Sequence, residues 1–175
     1  MLAAGAVALS ACGDPVADDR IEALGGEVDG VPRGPTHRPG QPCLACHSDA
    51  GDGEGPLMSV AGTVYQKRDR DIPAWGATVR LTDAAGAGYA SRTNCAGTFY
   101  ITVSDWEPVF PLQVEVDHAD IPEPVPMESH IGREGACAGC HVVQPGPTSP
   151  GRVFLYDDPT IPDWADPGPQ CGGGG

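Results

Sequence analysis

The sequence predicts a mainly β protein, a small antiparallel β-sandwich flanked by irregular segments, with little helix. Short runs of Val, Thr, Tyr, Phe and Ile alternate with period 2 and are bounded by Gly, Pro, Asp and Asn. Glycine (25) and proline (19) supply about a quarter of the 175 residues, and the prolines interrupt almost every window long enough for a helix. The strands also recur at regular spacing with turn signals between them, as sandwiches require.

The elements follow in order. Ser59–Gln66, Ala77–Thr82, Thr98–Val103 and Leu112–Val116 are the clearest strands; Tyr89–Arg92 is weaker, and Arg152–Tyr156 adds one near the end. Leu112, Val114 and Val116 share one face while Gln113 and Glu115 share the other, the signature of a half-buried strand. Val79, Leu81, Phe99 and Ile101 are expected in the core. Gly76 and Gly97 stand at strand entries, where turns call for positive φ. Outside this region, residues 13–42, 144–151 and 157–175 are rich in Pro, Gly and polar residues and read as tether, turns and tail.

Three pieces of the middle region, Gly62-Thr63-Val64, Pro73-x-x-Gly76-Ala77-x-Val79-x-Leu81 and Thr93-x-x-x-Gly97-x-Phe99, together resemble the carboxypeptidase regulatory-like (transthyretin-like) domain. The resemblance covers about residues 59–117. It implies a non-catalytic scaffold module.

The chemistry lies on either side of that module. Cys43-Leu44-Ala45-Cys46-His47 and Cys137-Ala138-Gly139-Cys140-His141 are two copies of Cys-x-x-Cys-His, the attachment signature of c-type haem. Two thiols so spaced can each add to a vinyl group on one porphyrin edge, and the histidine then sits under the iron as proximal ligand. Only five of 175 residues are histidine, so chance would place one after both pairs about once in a thousand chains. The expected cofactors are therefore two haem c groups, bound through Cys43, Cys46, Cys137 and Cys140, with His47 and His141 on the irons. A zinc site made by the four cysteines is the bland alternative, but zinc ribbons space their pairs about 15–20 residues apart, against ninety here. A thioredoxin-like dithiol would sit beside a βαβ pattern, and neither pair does.

A faint repeat precedes the motifs: His37 and His130 each lie six or seven residues ahead of the first haem cysteine, with a glycine between. This nominates His37 and His130 as distal iron ligands, with His118, Met58 and Met127 as rivals. Solvated loop histidines are the plain alternative. Trp75, Trp106 and Trp164 are expected to pack in the core or at a haem edge. The pairs Asp18-Asp19 and Asp157-Asp158 read as solvated runs.

The chain opens on about a dozen apolar residues, too short to span a bilayer but suited to a leader. Leu9-Ser10-Ala11-Cys12 resembles the lipobox of bacterial lipoproteins, which implies a cut before Cys12 and a lipid on it. No Lys or Arg precedes the apolar run, so the true start is expected upstream of Met1. With Cys12 lipidated and four cysteines on haem, Cys95 and Cys171 remain and suggest a disulfide in an exported protein. The net charge of −14 repels nucleic acid and anionic lipid heads.

The expected organisation is a signal peptide (1–11), a lipid-anchored flexible tether (12–36), a di-haem domain (37–156) containing the β-module, and a flexible tail (157–175). The chain resembles multihaem cytochromes, which implies electron transfer in the bacterial cell envelope, as an outer-membrane lipoprotein facing the periplasm or the exterior, with redox proteins of that envelope as partners. No Ser or Cys nucleophile has a credible His–Asp setting, so an electron carrier is expected in preference to an enzyme. The competing functions are a haem enzyme or sensor with one open iron site, and a surface-binding sandwich module.

Overall fold

A computed structural model describes residues 14–26, 33–158, 160, 162 and 163. Seven strands form two sheets: β1 (Met58–Lys67), β2 (Thr78–Thr82), β3 (Gly88–Arg92), β4 (Thr98–Thr102), β5 (Gln113–Asp117), β6 (Val125–Pro126) and β7 (Val153–Tyr156). One sheet has the order β4-β1-β7 and the other β3-β2-β5-β6. The protein is therefore mainly β and sandwich-like.

The two sheets enclose Val60, Val64, Val79, Leu81, Phe99, Ile101, Leu112, Val116 and Leu155, where removal of apolar side chains from water is the main stabilising term. Leu81, Ile101 and Leu112 are among the largest fully buried side chains. Gly76 (φ 73°) and Gly97 (φ 71°) take the left-handed conformation at the entries to β2 and β4, as their positions suggest. Trp106 stacks on Tyr89 with ring centroids 5.7 Å apart, against the core. Trp75 departs from the expectation and is 39 % exposed; Trp164 lies outside the described residues.

Three features differ from the sequence reading. β7 pairs with β1 in parallel, Val64 facing Val153 and Lys67 facing Tyr156, so the sandwich is not wholly antiparallel. The long return from β6 through the second motif lets the chain re-enter alongside β1 in the same direction, as parallel pairs require. β1 is buried on both faces from Val60 onward, because one face meets the core and the segments around the motifs cover the rest.

Third, the segment read as a tether contains a nine-residue helix, α1 (Pro15–Ala23). The Asp14 carboxylate accepts from the Val16 (3.0 Å) and Ala17 (3.4 Å) N–H groups, and Pro15 occupies the first turn, where its missing N–H costs nothing. Arg20 of α1 reaches Glu134 at 2.8 Å. In the segment read as a tail, Asp163 pairs with Lys67 at 3.0 Å and Asp157 with Arg68 at 3.1 Å.

Candidate functional site: two matched turns on one strand

Each Cys-x-x-Cys-His motif folds into one turn of 3-10 helix, Cys43–Ala45 and Cys137–Gly139. In this helix residues three apart eclipse one another, which brings the two thiols of a pair to the same side. The hydrogen bonding is matched. The Cys43 carbonyl accepts from Cys46 (3.1 Å) and His47 (2.9 Å), and the Cys137 carbonyl accepts from Cys140 (3.1 Å) and His141 (2.8 Å).

Both turns are seated on β1. The His47 carbonyl accepts from Met58 at 2.9 Å, at the start of the strand, and the Gly40 N–H donates to Thr63 Oγ1 at 2.8 Å. The loop after the first turn closes over it, with the Gly53 N–H on the Cys46 carbonyl at 2.9 Å. A Cβ at Gly51 or Gly53 would run into that carbonyl. At the second turn the Gly135 carbonyl accepts from Ala61 at 3.0 Å, and Gly62 lies bare beneath Cys137. Motifs separated by ninety residues thus meet across a few residues of strand.

The thiols feel one another. Burial, and then the neighbouring Cys43, push Cys137 up to about 12; burial first, and Cys46 in the same direction, raise Cys43. A redox dithiol depends on a depressed thiol pKa, the opposite of what these surroundings impose.

The histidines divide by what holds Nδ1. In His141 it donates to the Gly151 carbonyl at 2.8 Å. In His37 it donates to the Gly34 carbonyl. In His47 it is buried without a hydrogen-bond partner, although the Pro56 carbonyl near the ring partly offsets the effect of burial on its protonation. A carbonyl only accepts, so the contacts at His141 and His37 put the proton on Nδ1 and leave the Nε2 lone pair for a metal, the arrangement typical of metal-bound histidine. His47 is held below the ordinary histidine range by burial first and by His37 second, which favours the neutral, ligating form. The His37 and His47 rings stand 6.0 Å apart at an interplanar angle of 69°.

The other two histidines are arranged differently. In His118 Nδ1 faces the Asp120 N–H at 3.1 Å, so the neutral ring carries its proton on Nε2. His130 is exposed and lines a groove of about 680 Å³ with Arg80, Glu115 and Met127, on the four-stranded sheet. The structure therefore brings His37 to the first motif and leaves His130 on the sheet that carries neither turn.

Beside the first turn lies a cleft of about 520 Å³ whose walls include His37, Cys43, Cys46, His47, Met58 and Tyr100. Its volume falls within the range of about 300–1,000 Å³ usual for small-molecule and cofactor sites. At the first motif the two cysteines of one turn, a buried histidine held towards its neutral form and an adjoining cleft suit a covalently held haem. Among the described residues no three His, Cys, Asp or Glu side chains gather as a metal ion held by side chains alone would need. Cys43, Cys137 and Cys140 are free thiols. Cys95 is disulfide-bonded; Cys171, the suggested partner, and Cys12, the suggested lipid site, lie outside the described residues. Among the described residues no helix is long and apolar enough to cross a membrane.

Sequence reasoning missed the carbonyls of Gly34, Pro56 and Gly151, because every residue has a carbonyl. It also missed the role of Gly62, which carries no side chain to attract notice. The spacing of Gly51, Gly53 and Gly55 was the one visible signal of a backbone wrapping tightly over the first motif.

Comparison with protein-family models, with curated proteins and with solved structures finds no match to this chain.

Proposed function

We propose that this protein is an exported c-type cytochrome that binds two haems covalently and carries electrons in the bacterial cell envelope, held there by a lipid on Cys12. The observation that carries the reading is the matched pair of 3-10 turns. Both present their cysteines with the same backbone hydrogen bonds and follow them with a histidine, His141 held through Nδ1 by the Gly151 carbonyl and His47 buried beside His37.

Cys43 and Cys46 would hold the first haem with His47 as a ligand to its iron, and Cys137 and Cys140 the second with His141. Bound haem supplies a one-electron iron couple. The chain's own residues set the terms of that couple. An imidazole fixed by a carbonyl, as His141 is by Gly151, is a stronger donor, and burial of His47 lowers the local dielectric. Seating both turns on β1 keeps the two sites on a rigid element, which limits rearrangement when an electron arrives or leaves. The partners would be other redox proteins of the envelope.

Expression with export in a host that attaches haem tests the proposal. The intact mass should exceed that of the polypeptide by two haems, and Cys43→Ser/Cys46→Ser should bind one. A purified exported protein with no covalent haem would sink the reading.

A further inference from the structure

Deepening the di-haem reading, on which it rests, we propose that the two haem sites are unlike: His37 and His47 form an axial pair at the first, whereas His130 takes no part at the second, which is left open opposite His141 to a small exogenous ligand such as carbon monoxide.

The first half follows from the histidine pair. Metal–imidazole nitrogen bonds are about 2.0–2.1 Å long, and a ring centroid lies about 1 Å behind its nitrogen, so two imidazoles sharing one metal have centroids about 6 Å apart. The His37 and His47 centroids are 6.0 Å apart. An axial pair tolerates any interplanar angle, so 69° is admissible. His37 is also held in the tautomer that ligation needs, because its Nδ1 donates to Gly34 and leaves Nε2 as the donor atom. Both rings line the cleft beside Cys43 and Cys46.

The second half follows from where the remaining candidates lie. All five histidines fall within the described residues. Ile131, next to His130, is tied by paired backbone hydrogen bonds of 2.9 Å to Leu112, ahead of β5 in the four-stranded sheet. The second turn rests instead on β1, through Ala61 and Gly62. His130 and Met127 share the groove beside Arg80 and Glu115. His118 presents the wrong tautomer and follows β5, its Nε2 near Gly76. Met58 belongs to the first cleft.

The test begins with the mass of the exported protein, which separates failure of the di-haem reading (fewer than two haems) from failure of this inference. With two haems attached, the oxidised protein should show one low-spin and one high-spin iron by electron paramagnetic resonance. The reduced protein should bind one carbon monoxide per chain. His37→Ala should raise this to two, and His130→Ala should leave it at one with the spin signals unchanged. Two low-spin irons and no carbon monoxide binding in the wild type would overturn the inference even if His37→Ala fails to fold. So would a second carbon monoxide site created by His130→Ala.

Discussion

Replacing Gly62 by alanine tests the seat of the second motif turn on β1. An added Cβ would lie 2.7 Å from Cβ and 2.8 Å from Sγ of Cys137, and 3.1 Å from Cε1 of Phe99. None of these neighbours yields easily. Cys137 opens a turn tied to β1 through the Ala61–Gly135 hydrogen bond, and Phe99 is buried in the core. Overpacking of this kind costs about 1–3 kcal/mol, and in a chain of this size each kcal/mol lowers Tm by about 2–4 °C. Gly132→Ala is the control: nothing lies within 4 Å of its Cβ position, and a compatible Gly→Ala change stabilises by about 0.4–1 kcal/mol through the unfolded chain. The measurement is equilibrium urea unfolding of wild type and both variants prepared in the same way. Adding Cys137→Ala to Gly62→Ala should recover only part of the loss, because it removes the Sγ contact and leaves the Cβ contact. A Gly62→Ala midpoint indistinguishable from wild type would refute the seating of Cys137 on this strand.

Thr93 Oγ1 is buried, donates to the Ala74 carbonyl at 2.5 Å and accepts from the Ala77 N–H at 2.9 Å. Thr93→Val keeps the shape and strands both partners, so urea unfolding should show a loss of about 1–3 kcal/mol per stranded group. Gly97 and Gly86 both have positive φ, but only Gly97 would drive a Cβ into the Val64 carbonyl. Alanine at Gly86 should cost about 1–2 kcal/mol of backbone strain, and at Gly97 clearly more; equal losses would mean that the contact contributes nothing. The Asp83 carboxylate is held below the usual range by the Val109 N–H first, with Ala87 and Ala85 adding to it. A lowered folded pKa gives stability that is present above the unfolded value, about 3.9 for Asp, and is lost as pH falls through the folded value. Asp83→Asn should therefore be less stable than wild type at pH 7, with the gap narrowing below about pH 4; a gap independent of pH in urea titrations would contradict this.

The core and strands were legible because they depend on local alternation: Val79, Leu81, Phe99 and Ile101 are expected in the core and are buried. The left-handed glycines at 76 and 97 were legible for a similar local reason. What was not legible depended on distant chain. The parallel pairing of β7 and the two-sided burial of β1 arise from segments far away in sequence. β6 is two residues long and leaves no periodic trace. α1 had its cap and its proline in plain view at Asp14 and Pro15, but the glycines and prolines that follow made the whole region read as irregular. The repeat gave His37 and His130 equal standing. The contact of His37 with His47 and the pairing of Ile131 with Leu112 separate them, and contacts of that kind are written in neither motif.

A single strand carrying both turns also changes what the intervening chain is for. The residues from Arg68 to Ala136 do not set the distance between the motifs, since Met58 and Ala61 contact the two turns within half of one strand. The hairpins of the second sheet can thus lengthen, shorten or be exchanged for another module, provided that β1 still has a core to lie on. Sequence separation between such motifs is then free to drift while their spatial separation stays the same. A tally of residues between haem-type motifs would overlook chains built on this plan.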